Sequence, residues 1–75
     1  MFDNLNPICI EIGMGKGYFI IGMAKKFPNI NFIGIEKYDS VVAKSLQKIP
    51  EGLNNLIIVR GDALEIDRMK IYHNF

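Results

Sequence analysis

The chain has a single cysteine, Cys9, and a single histidine, His73. One cysteine excludes an intramolecular disulfide. An unpaired cysteine in an apolar segment fits a reducing cytoplasm, where we expect the protein to reside. A solitary histidine offers no metal-ligand spacing and no nucleophile–base pair, so His73 is assigned neither a metal nor a catalytic role. No stretch approaches the roughly 18 uninterrupted apolar residues of a membrane span. Met1-Phe2-Asp3-Asn4 lacks the basic segment and apolar run of a secretory signal, so no membrane partner is expected. Charge of one sign is also scarce. The net charge is +1, and composition alone makes no case for nucleic acid as a partner. There is no internal repeat and no low-complexity segment. Seventy-five residues allow one small domain. A chain of that size buries only about 60% of its unfolded surface, so marginal stability is expected.

What is present is an ordered alternation of elements in a chain that is 49% hydrophobic and 23% charged, ordinary values for a globular protein. Ile8-Cys9-Ile10-Glu11-Ile12 is a short branched run ending at a glycine, the signature of a buried strand. Within it Cys9 is expected in the core. From about Gly17 to Phe27 the chain reads as a helix, with Ile20, Met23, Ala24 and Phe27 on one face. Lys25 and Lys26 suit the negative end of its dipole, and Pro28-Asn29 stops it. Asn31 to Glu36 is a second strand. Asp39 or Ser40 is placed to cap a second helix running to about Lys48, with Val42, Leu46 and Ile49 as its apolar stripe. Pro50-Glu51-Gly52 is a turn, Leu56 to Arg60 a third strand, and Gly61-Asp62 its end. Beyond Asp62 the pattern is mixed, and residues 70–75 are compatible with a fourth strand. The order β-α-β-α-β predicts a parallel sheet with right-handed crossovers. Strands apolar on both faces imply helices on both sides.

The glycine-rich loop Gly13-Met14-Gly15-Lys16-Gly17 joins the first strand to the first helix, the context in which such a loop carries meaning. A sharp turn there needs positive φ, which glycine adopts cheaply. The helix N-terminus beyond it offers unpaired N–H groups to an anionic ligand. The NTPase phosphate loop G-x-x-x-x-G-K-[ST] fails at Ile10 and at Gly17. The dinucleotide loop G-x-G-x-x-G fails at Tyr18. Lys16 reads as a solvated loop cation. Glu36, at the end of the second strand, is placed to accept hydrogen bonds from both hydroxyls of a ribose, a feature that also fits NAD. Three strand ends thus put Glu11, Glu36 and Asp62 on one rim, where open α/β sheets bind ligands. Glu11 serves either the ligand or the loop's own N–H groups.

Glu11-x-Gly13-x-Gly15-x-Gly17 resembles motif I of the class I S-adenosylmethionine-dependent methyltransferases. In that class an acidic residue at the position of Asp62 accepts from the adenine amino group, and the following backbone N–H, here of Ala63, faces the ring. Together with Asn31-Phe32-Ile33-Gly34-Ile35-Glu36 and Gly61-Asp62-Ala63, the loop resembles bacterial tRNA (guanine-N7-)-methyltransferase over about residues 8 to 65. The resemblance implies a partial Rossmann-like fold, with a parallel sheet of three to four strands and two crossover helices. It implies S-adenosyl-L-methionine as cofactor, bound by Glu11, Gly13, Gly15, Gly17, Glu36, Asp62 and Ala63. It implies methyl transfer to guanine N7 in tRNA. That reaction needs alignment more than acid–base chemistry, so no catalytic residue is assigned.

The family is longer than this chain. Its Asp-Pro-Trp-Pro segment and its basic tRNA-holding residues do not occur in these 75 residues. Residues 1–75 are therefore read as one truncated S-adenosylmethionine-binding domain, inactive by itself. Two alternatives stand beside this reading. One is a fragment of a nicotinamide- or flavin-dependent oxidoreductase. The other is a non-catalytic truncated product that binds nothing, folds poorly, or self-associates through an exposed sheet edge.

Overall fold

The computed structural model describes residues 2–62. Its elements are β1 (Ile8–Ile12), α1 (Tyr18–Lys26), β2 (Asn31–Glu36), α2 (Asp39–Leu46) and β3 (Leu56–Arg60). The three strands match the sequence reading. The expected fourth strand, Ala63 and His73 lie outside the described residues. The strands form one parallel sheet in the order β1-β2-β3, with Cys9 beside Phe32, Glu11 beside Gly34, and Glu36 beside Arg60. All three C-terminal ends therefore meet at one edge of the domain.

Both crossovers step in the same lateral direction, so right-handed connections put α1 and α2 on one face. The packing agrees. Phe32 joins Met14, Ile20, Ile21 and Ala24 in the core, with Ile49, Leu53, Leu56 and Ile58 packed against them. Helices on both faces were expected; among the described residues they cover one. β2, at the centre of the sheet, is buried throughout. β1 has no strand on its outer side among the described residues. Cys9, expected in the core, is consequently exposed, as are Ile10 and Ile12.

The helix faces also depart from the simplest periodic stripe. In α1, Ile20 and Ala24 point inward as expected, but Ile21 is buried and Phe27 is at the surface. The neighbouring α2 is the cause, because it covers the flank on which Ile21 lies. In α2 the inward residue is Ser45, fully buried, while Leu46 is 52% exposed. A Cβ on Gly17 would lie 3.1 Å from the Ser45 Cβ. The helices approach so closely there that only small residues fit, and the larger Leu46 is turned outward. Ser45 satisfies its hydroxyl by donating to the Val42 carbonyl at 2.7 Å. Neither Asp39 nor Ser40 caps α2. The cap residue is Tyr38 and no side chain bonds to the helix start. Asp39 sits in the first turn, favourable for the dipole, and pairs with Arg60 at 3.1 Å on the exposed surface.

Gly34 deserves its place in β2 for a packing reason. A Cβ there would collide with Met14 Sδ and crowd Ile20 Cδ1 at 3.2 Å and Ile58 Cδ1 at 3.3 Å. The missing side chain is what admits Met14, and with it the glycine loop, onto the sheet. Gly34→Ala is expected to destabilise the chain by about 1–3 kcal/mol through overpacking, read as a lowered urea midpoint.

Candidate functional site

The site grows from the way the three strand ends are stitched together. After β1 the chain turns at once. The Gly13 and Met14 N–H groups both donate to the Ile35 carbonyl, at 2.7 and 3.1 Å. At the far side of β2, the Gly61 N–H donates to the Glu36 carbonyl at 3.0 Å. The central strand thus fixes the exits of both its neighbours. Gly13, Gly15 and Gly17 have φ of 73°, 60° and 83°, the left-handed region that side-chain-bearing residues rarely adopt.

The three glycines have different surroundings. Cβ atoms on Gly13 and Gly15 would meet none of the described residues within 4 Å, so these positions border open space among them. Gly17 is buried against Ser45 and Ile21, where it sets the packing of α1 on α2. It also starts α1, since its carbonyl accepts from the Ile21 N–H at 2.9 Å.

Glu36 is the organising side chain. It is only 7% exposed. One carboxylate oxygen accepts from the Gly15 N–H at 3.1 Å and the other from the Tyr38 N–H at 3.2 Å. A buried carboxylate requires such donors. These two bonds are longer than the 2.7–2.9 Å or so of strong charge-assisted pairs, and an ionised carboxylate has about four acceptor positions. The same side chain that holds the loop and the β2–α2 turn therefore keeps capacity for further donors.

A cleft of about 290 Å³ opens at this edge, lined by Ile12, Gly13, Ile35, Glu36, Lys37, Tyr38, Gly61 and Asp62. Gly13, Glu36 and Asp62, singled out from the sequence, meet here, with Gly15 joined through its bond to Glu36. Glu11 does not line this cleft. It lies on the flank of β1, in an apolar cleft of about 400 Å³ with Cys9, Ile10, Ile12, Phe19, Ile20, Met23 and Phe32. Its Oε1 is buried and accepts no hydrogen bond. Lys37 and Tyr38 were not picked out from the sequence. The available signal was their position directly after the strand-end acid. Among the described residues, no group of three or more histidine, cysteine or acidic side chains is placed to hold a metal ion.

Comparison with known proteins decides the family. The profile of the family described as "Putative methyltransferase" (Methyltransf_4) matches residues 5–74. The chain belongs to this methyltransferase family. A tRNA (guanine-N(7)-)-methyltransferase of Oceanobacillus iheyensis is 46% identical over 83 aligned residues, covering 100% of this chain and 39% of that protein. The protein of the same name from Limosilactobacillus fermentum is 52% identical over 67 residues, covering 88% of this chain and 31% of its own length. The chain thus spans well under half the length of these relatives. Among solved structures, the plantazolicin methyltransferase BamL, in complex with a triazolic desmethylPZN analog and SAH, superposes with a TM-score of 0.71 at 18% identity. The match covers 87% of this chain and 23% of BamL. At that identity the likeness speaks for the fold, a partial Rossmann-like α/β sheet, as expected from the sequence.

Proposed function

We propose that the cleft at the strand ends binds the nucleoside part of S-adenosyl-L-methionine, and that the whole protein methylates guanine N7 in tRNA. The observation that carries this reading is the convergence of Gly13, Glu36 and Asp62 on one cleft at the carboxyl ends of parallel strands. The residues fit such a ligand. Glu36 retains acceptor capacity for ribose hydroxyls. Asp62 borders the same space and suits the adenine amino group, with Ala63 following it. Gly13 and Gly15 leave room for close backbone approach. The buried, unpaired Glu11 Oε1 on the neighbouring flank suits a cationic or N–H group of the amino-acid part. Gly17 contributes through the loop's shape. The names of the relatives support tRNA as substrate and guanine N7 as target.

The bound cofactor supplies an already activated methyl group on a sulfonium. What the chain itself contributes is binding and orientation, since guanine N7 carries a free electron pair and no proton to remove. Reaction with tRNA belongs to the cytoplasm, and no helix among the described residues is long and apolar enough to cross a membrane. Among the described residues no strand pairs with the outer edge of β1, where Ile10 and Ile12 are exposed, and such an edge favours self-association at high concentration.

Calorimetry with S-adenosylhomocysteine and NAD side by side tests the cofactor. The expected result is measurable S-adenosylhomocysteine binding and weaker or no NAD binding. Tighter binding of NAD would reverse the reading in favour of an oxidoreductase.

A further inference from the structure

Away from the cofactor cleft, a groove of about 480 Å³ runs along the outer surface of α1, lined by Tyr18, Ile21, Gly22, Lys25 and Lys48. Among the described residues, no acidic side chain lines it. Tyr18, Gly22 and Lys25 follow one another at i, i+4 and i+7, a single stripe of the helix. Lys48 comes from beyond the end of α2. Its ammonium lies 4.4 Å from the Tyr18 ring centroid and 3.5 Å from the Lys44 carbonyl. Tyr18 nonetheless remains 72% exposed.

The floor of the groove is the informative part. Gly22 lies in the interior of α1, where glycine is less favourable than alanine. Its conformation is helical, so no turn requires it. A Cβ at this position would meet none of the described residues within 4 Å, so no close packing among them requires it either. The fold supplies no reason for a glycine here, and its one structural consequence is to deepen the groove between an exposed aromatic ring and two cations.

We propose that this groove is a docking surface for an RNA strand, with a nucleobase against Tyr18 and flanking phosphates at Lys25 and Lys48. An exposed aromatic beside paired ammonium groups is the arrangement that recognises single-stranded nucleic acid. The charge is complementary, and the groove starts at the residue directly following the glycine loop. The choice of RNA rests on the reading of tRNA as substrate.

The test is fluorescence anisotropy of the full 75-residue chain with a labelled unmodified tRNA transcript across a salt series, with heparin as a sequence-free polyanion. Gly22→Leu fills the groove while improving helix propensity. It is expected to weaken tRNA binding at least about fivefold, the lower end of what one stacked base contributes. The melting temperature should be unchanged or raised, and heparin binding and S-adenosylhomocysteine binding unchanged. The double variant Lys25→Gln/Lys48→Gln should reduce the slope of log K against log salt by about 1.4, two single-strand phosphate contacts. It keeps the question answerable if Gly22→Leu fails to fold. Unchanged tRNA affinity with Gly22→Leu and an unchanged salt slope with the double variant would overturn the proposal. So would an equal loss of heparin binding with Gly22→Leu. A chain that binds S-adenosylhomocysteine but loses no tRNA affinity in these variants sinks the groove and leaves the cofactor cleft standing. Groove-dependent tRNA binding without S-adenosylhomocysteine binding does the reverse.

Discussion

Asn55→Asp is expected to remove from roughly a quarter to all of the folding stability of this chain. The Asn55 amide nitrogen donates to the Ala24 carbonyl at 2.9 Å, the Phe27 carbonyl at 3.1 Å and the Ile30 carbonyl at 2.9 Å. The residue is 4% exposed. The two N–H bonds of one side chain, one of them shared between two acceptors, thus tie the Ala24 carbonyl in the last turn of α1 to the Phe27 and Ile30 carbonyls in the turn into β2, where a helix end leaves backbone acceptors short of donors. The Asn55 carbonyl itself accepts from the Phe32 N–H at 2.8 Å, which fixes the start of β2 against the entry to β3. Aspartate has nearly the same shape but no donors, and it turns a buried negative charge toward three carbonyl oxygens. An uncompensated buried charge costs about 3–5 kcal/mol. At roughly 0.05–0.15 kcal/mol per residue, a chain of this length has about 4–11 kcal/mol in total. Asn55→Ala, which removes the shared donor without adding charge and leaves the Phe27 carbonyl its bond from the Ile30 N–H at 3.1 Å, should cost about 1–3 kcal/mol. Urea unfolding followed by circular dichroism ranks the variants. An aspartate variant with the native midpoint would show that this side chain does not hold the three carbonyls.

The second large effect is on ligand binding. Glu36→Gln should weaken S-adenosylhomocysteine binding by about 10- to 100-fold, with a smaller loss of stability than Asn55→Asp. The wild-type carboxylate receives N–H groups on both oxygens, from Gly15 and from Tyr38. Glutamine keeps one acceptor oxygen and sets an NH₂ group against the other backbone donor. Either the glycine loop or the β2–α2 turn is then released. A hydrogen bond to a charged group contributes about 1.5–3 kcal/mol, which sets the size of the expected change in affinity. Titration calorimetry on folded samples measures it. Native affinity in the glutamine variant would confine Glu36 to holding the loop.

Much of this was legible along the chain because it rests on local rules. The strand bounds followed from short branched runs closed by glycine, proline or acidic residues. Both helices ended within about two residues of expectation, α1 because Gly17 and Pro28 act on the backbone locally. Neighbours across the fold changed the rest. Cys9 is exposed because β1 has no outer partner among the described residues. Ser45 replaces Leu46 on the inner side of α2 because Gly17 approaches it. Asn55 drew no notice in the sequence, since an asparagine between a turn and a strand looks like any turn residue. Its importance lies in three carbonyls that are 25 to 31 positions away.

By itself the sequence determined the alternation of elements, the parallel sheet and the glycine loop with its acidic partners, because periodicity, chain reversal and positive φ are set by neighbouring residues. The tertiary structure decided how those acids are used. It gave Glu36 two backbone donors, brought Asp62 and Gly13 to the same cleft, and left Glu11 on a separate flank with a buried oxygen unpaired. A hydrogen-bond partner or a shared cleft depends on where strands from different parts of the chain end in space, and only the packed sheet fixes that.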